Sequence, residues 1–276
     1  MSEPELREER AQGRRKEVEQ AHDRGTRSRR RVETKPFLLI SIRAEREAAE
    51  DEYASFLRFT GLEERELPLV NVYDAEVPPF DPDDWSGVLL GGGPWNASDP
   101  AETKSVNQVR AEAGIARLLD VVVAREVPFL GACYGIGTLG LHQGGTIDRS
   151  HPEAVGPLAV TLTPEGEADP LFAGVPTEFA AYGGHKESLE RLPPGAVRLA
   201  TSDACPVQAF RVGAHAYATQ FHPELDLAGV CTRIEVYKDA GYFDPGEAET
   251  LKERSRSVDI RHPMTLLANF VERYAR

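Results

Sequence analysis

Cysteine is scarce in this chain. Among 276 residues there are three, Cys133, Cys205 and Cys231, far apart and with no C-x-x-C pair. An odd, scattered set builds neither a disulfide framework nor a tetrahedral zinc pattern, so no metal and no disulfide is expected. Such usage suits a reducing compartment, which also keeps a nucleophilic thiol reduced. Long apolar runs are missing too, so no stretch is long enough to cross a bilayer. Residues 1–35 are dominated by Arg, Lys and Glu and have no apolar segment of the signal-peptide kind. A soluble, cytoplasmic protein without a membrane partner is expected. Basic charge is in deficit. The net charge is −13, with 11 basic and 8 acidic side chains in residues 1–35, hence +3 there and −16 in the remainder. An acidic body argues against nucleic acid as a ligand, because phosphate binding needs a basic face. A phosphate-cradling G-x-x-x-x-G-K-[ST] loop is lacking as well, and no internal repeat is visible.

What is present is ample core material. Hydrophobic residues make up 41% of the chain, and 276 residues suffice for one large α/β domain or two small ones. Residues 1–35 hold almost no large apolar side chains and read as a disordered charged tail. Its Arg24 to Arg31 run reads as a solvated segment, with binding to an acidic partner as the alternative. Residues 36–276 read as the folded domain. Phe37 to Ile42 has strand length, Arg43 to Thr60 reads as a helix, and Gly61 stands where a C-terminal cap belongs. Leu67 to Val72 and Gly87 to Leu90 are further strand candidates, the latter running into Gly91-Gly92-Gly93-Pro94. A helical stretch from about Glu102 to Arg125 precedes another strand. Strands alternating with helices predict an α/β fold, a mainly parallel twisted sheet flanked by helices. Ligands then bind beyond the C-terminal strand ends. Leu158 to Leu162 and Ala214 to Phe221 read as short strands of a small antiparallel addition, and Pro263 to Tyr274 as a closing helix.

The most informative segment is Pro128-Phe129-Leu130-Gly131-Ala132-Cys133-Tyr134-Gly135. An apolar strand ends in a Cys between two glycines, and a helix-like stretch follows. G-x-C-x-G is the thiol counterpart of the G-x-S-x-G nucleophile elbow, whose small flanking residues tolerate a strained backbone. The helix N-terminus then faces the sulfur and favours thiolate. Taken alone, the octapeptide equally fits a buried structural Cys. A thiol nucleophile needs a base, usually oriented by a third group. His222 follows an apolar strand in Gln220-Phe221-His222-Pro223-Glu224, with a carboxylate two residues on. Alone, that tripeptide fits a surface turn.

Taken together, Leu89-Leu90-Gly91-Gly92-Gly93-Pro94, Gly131-Ala132-Cys133-Tyr134-Gly135 and Gln220-Phe221-His222-Pro223-Glu224 resemble the class I, triad-type glutamine amidotransferases in order and spacing. Gly183-Gly184-His185-Lys186-Glu187-Ser188, followed by Leu192-Pro193-Pro194-Gly195, resembles the amidotransferase domain of the GMP synthase type, here without a synthetase domain. The likeness spans roughly residues 36–275. It implies a flavodoxin-like three-layer fold and a Cys133–His222–Glu224 triad that hydrolyses the side-chain amide of glutamine through a γ-glutamyl thioester. It also implies an oxyanion hole from the backbone N–H groups of Gly93 and Tyr134, and no cofactor. Gly137, Gly184 and His185 are the candidate substrate-binding positions, with His185 a structural or substrate-wall residue.

One departure concerns substrate. The family usually carries Gln four residues after the nucleophile, where this chain has Gly137, so the substrate is either glutamine or a γ-glutamyl peptide or conjugate. The partners implied are that small molecule and a separate synthetase subunit that takes up the ammonia. A regulatory subunit whose triad idles until complexed is a third reading. Gly135-Ile136-Gly137-Thr138-Leu139-Gly140 matches G-x-G-x-x-G, but no acidic residue ends a strand about 20 residues on, as a dinucleotide site needs.

Overall fold

In the computed structural model, residues 34–276 are described; the charged tail expected over residues 1–35 lies outside them apart from its last two positions. The core of the fold is a nine-stranded sheet built from β1 (Phe37–Ser41), β2 (Leu69–Asn71), β3 (Gly87–Leu90), β4 (Phe129–Ala132), β6 (Glu153–Leu162), β7 (Glu178–His185), β9 (Val197–Thr201), β10 (Ala209–Val212) and β11 (Ala216–Thr219). The order is β2-β1-β3-β4-β11-β10-β9-β6-β7. From β2 to β11 neighbouring strands run parallel; from β11 to β7 they run antiparallel. β5 (Thr146–Asp148) and β8 (Ser188–Arg191) form a separate antiparallel pair. The mainly parallel α/β expectation therefore holds, with a larger antiparallel share than the sequence suggested.

Strand alternation divides the core in two. Phe37 and Leu39 of β1 face one cluster, while Leu38 and Ile40 face the other, as a period of two requires. The first face is covered by α1 (Arg46–Thr60) and α7 (Thr265–Tyr274) through Phe56, Leu266, Leu267 and Phe270. The second is covered by α2 (Val106–Ala124) and α3 (Tyr134–His142) through Ile115, Leu119, Val122, Ile136 and Leu139. Each such fully buried side chain contributes roughly 1.5–3 kcal/mol. Gly61 caps α1 as expected, left-handed at φ 69°, with its N–H donating to the Leu57 carbonyl.

Beyond the short α4 (Pro164–Ala168), the sequence reading missed two helices, α5 (Leu227–Val236) and α6 (Ala248–Arg256). Both pack through Val230, Ile234, Ala248 and Leu251 onto Tyr182 of β7 and Leu225. Of the two, α5 places Val230 and Arg233 beside the C-terminal ends of the parallel strands, where β3, β4 and β11 deliver the motif residues. Among the described residues, no helix is long and apolar enough to cross a membrane.

Candidate active site

The elbow has the strained backbone its sequence predicts. Cys133 sits between β4 and α3 with φ 50° and ψ −83°, one of two non-glycine residues with positive φ among those described. Such a conformation costs of order 1–3 kcal/mol and persists only where surroundings impose it. Here the Cys133 N–H donates to the Thr219 carbonyl of β11 at 2.7 Å. A Cβ at Gly131 would lie 2.7 Å from the Gly135 Cα, so the turn requires glycine there. Tyr134 anchors the other side: its ring is buried and its hydroxyl donates to Glu112 Oε1 at 2.8 Å. One expectation changes. Burial pushes the Cys133 thiol up to about 12, against the pull of Arg43, so the resting sulfur is a thiol.

His222 leaves β11 one turn further along and is fixed by its N–H donating to the Tyr182 carbonyl at 2.9 Å. Its Nδ1 lies 2.7 Å from Glu224 Oε1. Burial and the nearby Arg233 lower the imidazole pKa below its ordinary value, outweighing the attraction of Glu224. Glu224 is fully buried. Burial opposes its ionisation, but His222 and Arg233 together hold the carboxyl well below the usual range.

The Gly-rich turn after β3 brings these groups together. A Cβ at Gly92 would lie 2.5 Å from His222 Cε1 and 3.1 Å from Cys133 Cβ. At Gly93 it would lie 2.5 Å from Ile42 Cγ1. Only glycine allows the backbone to pass this close to both reactive side chains. Cys133, His222, Gly93 and Gly184 line one cavity of about 530 Å³ including its mouth, with Tyr242 and Phe243 also in its wall. The Tyr242 hydroxyl donates to the Pro94 carbonyl at 3.0 Å, tying that wall to the Gly-rich turn.

Arg43 and Arg233, which line the cavity, belong to a buried charge cluster that sequence reasoning did not find. Glu52 of α1 accepts from Ser41 at 2.9 Å and from Arg43 Nε at 2.8 Å. A Cβ at Gly91 would lie 2.6 Å from its carboxylate. Arg43 also donates to Tyr237 at 2.9 Å. Arg233 of α5 donates to Glu224 Oε1 at 2.9 Å and stands 3.5 Å from Glu52 Oε1. Two arginines thus balance two glutamates at the site. The only local signal for α5 was Asp226, which caps it by accepting from the Gly229 N–H at 2.9 Å.

Two candidate substrate-binding residues do not line this cavity. Gly137 is buried on α3, where a Cβ would lie 2.7 Å from Ala97 Cβ and 3.0 Å from Glu187 Oε1. Glu187 fills that space by accepting from the N–H groups of Ala97 and Ser98, each at 2.8 Å. His185 is turned away, held by the Glu187 carbonyl and Glu153 Oε2, each at 2.8 Å. The Glu153 contact ties β7 to β6. Glu153, His185 and Cys205 bring ligand-type atoms within 4.8 Å of one another. Contacts from Ser202 and Gln208 to Glu153, and from Cys205 to the Val207 carbonyl, occupy those atoms within the protein.

The elbow, the His-x-Glu pair and the Gly-rich turn match a known model. The family described as "glutamine amidotransferase class-I" matches residues 62–229, more than half of the chain. The chain belongs to that family. Curated relatives of this amidotransferase-family chain include one subunit of the glutamine-hydrolysing GMP synthase of Methanocaldococcus jannaschii, 31% identical over 140 residues. That match covers 50% of this chain and 64% of the relative. The corresponding subunit from Thermococcus kodakarensis is 26% identical, covering 61% of this chain and 80% of the relative. Against the GMP synthase of Thermomicrobium roseum the match is 31% identical and spans 33% of that longer protein. A solved glutamine amidotransferase from Thermotoga maritima shares the fold with a TM-score of 0.69 at 22% identity, over 86% of this chain and 97% of that one.

Proposed function

We propose that this chain hydrolyses the side-chain amide of glutamine, releasing ammonia, with Cys133 as nucleophile, His222 as base and acid, and Glu224 as the group that orients His222. The observation that carries the reading is the convergence on one cavity of a strained elbow cysteine and an imidazole whose Nδ1 lies 2.7 Å from a buried carboxylate. Cys133 Sγ gives its proton to His222 Nε2 and attacks the amide carbon. The oxyanion that forms is held by the backbone N–H groups of Gly93 and Tyr134, each such donor typically contributing about 10²–10³ in rate. His222 returns the proton to the departing ammonia, leaving a γ-glutamyl thioester on Cys133. Water, deprotonated by His222, then releases glutamate and regenerates the thiol. The ammonia is passed to a separate synthetase subunit. Relatives named as single subunits of GMP synthase support that reading. The low cysteine count fits work in the cytoplasm.

A second substrate, a γ-glutamyl conjugate, is favoured by one observation. The Ala97–Glu187 contact fills the space beside Gly137, while Tyr237, Tyr242 and Phe243 give the cavity an aromatic lining. Hydroxylamine trapping tests the thioester common to both. Wild type turning over glutamine with hydroxylamine is expected to yield γ-glutamyl hydroxamate, and Cys133→Ala none. Glutamate formed with no hydroxamate at any hydroxylamine concentration would exclude the thioester.

A further inference from the structure

His222 Nδ1 has two neighbours with opposite demands. Glu224 Oε1, 2.7 Å away, can only accept a hydrogen bond; Arg233 Nη1, 2.9 Å away, can only donate one. A ring nitrogen offers either a hydrogen or a lone pair in its plane. With hydrogen on Nδ1, His222 satisfies Glu224, its Nε2 is bare, and the ring can take the Cys133 proton. With Nδ1 bare, His222 satisfies Arg233 and carries its hydrogen on Nε2, which cannot then act as a base. In that second state Glu224 keeps a partner, because Arg233 Nη2 also donates to it at 2.9 Å.

Arg233 lines the cavity and is incompletely satisfied where it stands: its Nε is buried without a hydrogen-bond partner, while Glu224 Oε1 and Glu52 Oε1, 2.9 and 3.5 Å from its Nη2, pair with the guanidinium. The other charged or titratable groups around His222 are Glu224 on its own segment, Arg43 just past β1, Cys133 at the elbow, and Tyr237 and Tyr242 in the lining of the same cavity. Of these only Arg233 and Glu224 touch Nδ1.

We infer that Arg233 is a positioning residue that latches His222 in its Nε2–H tautomer until the carboxylate of a γ-glutamyl substrate draws the guanidinium into the cavity. On release, Nε2 gives its proton to solvent and Nδ1 takes one up opposite Glu224, with no net change of charge. The inference rests on His222 being the base toward Cys133. It makes the site silent toward adventitious amides that lack a carboxylate.

Nitrogen-15 NMR of the full chain, labelled at histidine, reads the tautomer directly. In ligand-free wild type above neutral pH, His222 Nδ1 is expected to resonate as a bare nitrogen and Nε2 as an N–H. Adding glutamine to Cys133→Ala is expected to exchange the two; butanamide, which has no carboxylate, leaves them unchanged. Arg233→Met is expected to carry the hydrogen on Nδ1 at rest. Its KM for glutamine rises about 10–100-fold for a lost charge-assisted contact, and the acid limb of kcat/KM moves to higher pH. If that variant does not fold, ligand-free wild type still decides. Hydrogen on Nδ1 there, or one tautomer with and without glutamine, would overturn the latch. Ammonia release that survives Cys133→Ala would instead overturn the proposed chemistry, and leaves the tautomer reading a separate result.

Discussion

Individual residues carry most of the chemistry, and they were unequally legible. Cys133, His222 and Glu224 stand in short motifs whose spacing encodes a turn, so the sequence alone pointed to them. Arg43, Arg233 and Glu52 stand in no motif. Arg43 and Tyr237 meet across 194 positions of sequence, and nothing near either residue announces the contact. The thiol also behaves differently from its local expectation. A helix N-terminus favours thiolate, but burial outweighs it and leaves a protonated sulfur. Gly92 is the sharpest test at this scale. A methyl group there meets the His222 ring at 2.5 Å, so Gly92→Ala is expected to displace the imidazole and lower kcat by at least about 10²-fold, as a misplacement of about 1 Å can. Thermal stability should change far less than activity. Unaltered turnover in Gly92→Ala would show that His222 does not work from this position.

Among the elements, the parallel strands and the helices α1, α2 and α7 were readable from hydrophobic periodicity and caps. Helices α5 and α6 were not, because the second half of the chain reads as short strands and turns. Their apolar stripe, Val230 and Ile234, is brief and becomes meaningful only once Tyr182 and Leu225 are placed against it. The face of α3 toward the loop at Ala97 explains Gly137 in packing terms. With Glu187 bridging the Ala97 and Ser98 N–H groups, a longer side chain at position 137 has no space. Gly137→Gln is therefore expected to cost about 1–3 kcal/mol through overpacking. That cost should appear as a lower melting temperature, with no gain in KM for glutamine. A stable variant with tighter glutamine binding would mean that this wall opens to the substrate.

For the whole molecule, the sequence located the site at the C-terminal ends of a parallel sheet but underestimated the antiparallel half that closes it. Alternation over β9, β10 and β11 says which faces are buried but not the order in which strands pair. The buried site also sets how the fold responds to acid. His222 has its pKa lowered in the folded state, so below 6.5 the unfolded chain binds the extra proton first, and stability is lost as pH falls through that value. Glu224 acts in the same direction below 4.5, where protonation removes the partner of His222 and Arg233. Urea unfolding midpoints are expected to drop from pH 7.5 to 5.5, with the first part of the drop absent in His222→Gln. A flat or rising midpoint over that range would show that His222 is not held neutral.

The most direct measurement is steady-state glutamate release by wild type and Cys133→Ala, run in parallel on glutamine and on a γ-glutamyl anilide. Thiol-dependent hydrolysis predicts turnover of at least one of them by wild type, abolished in Cys133→Ala while the melting temperature stays near that of wild type. Equal release by both proteins, or none by wild type from either compound, would contradict it.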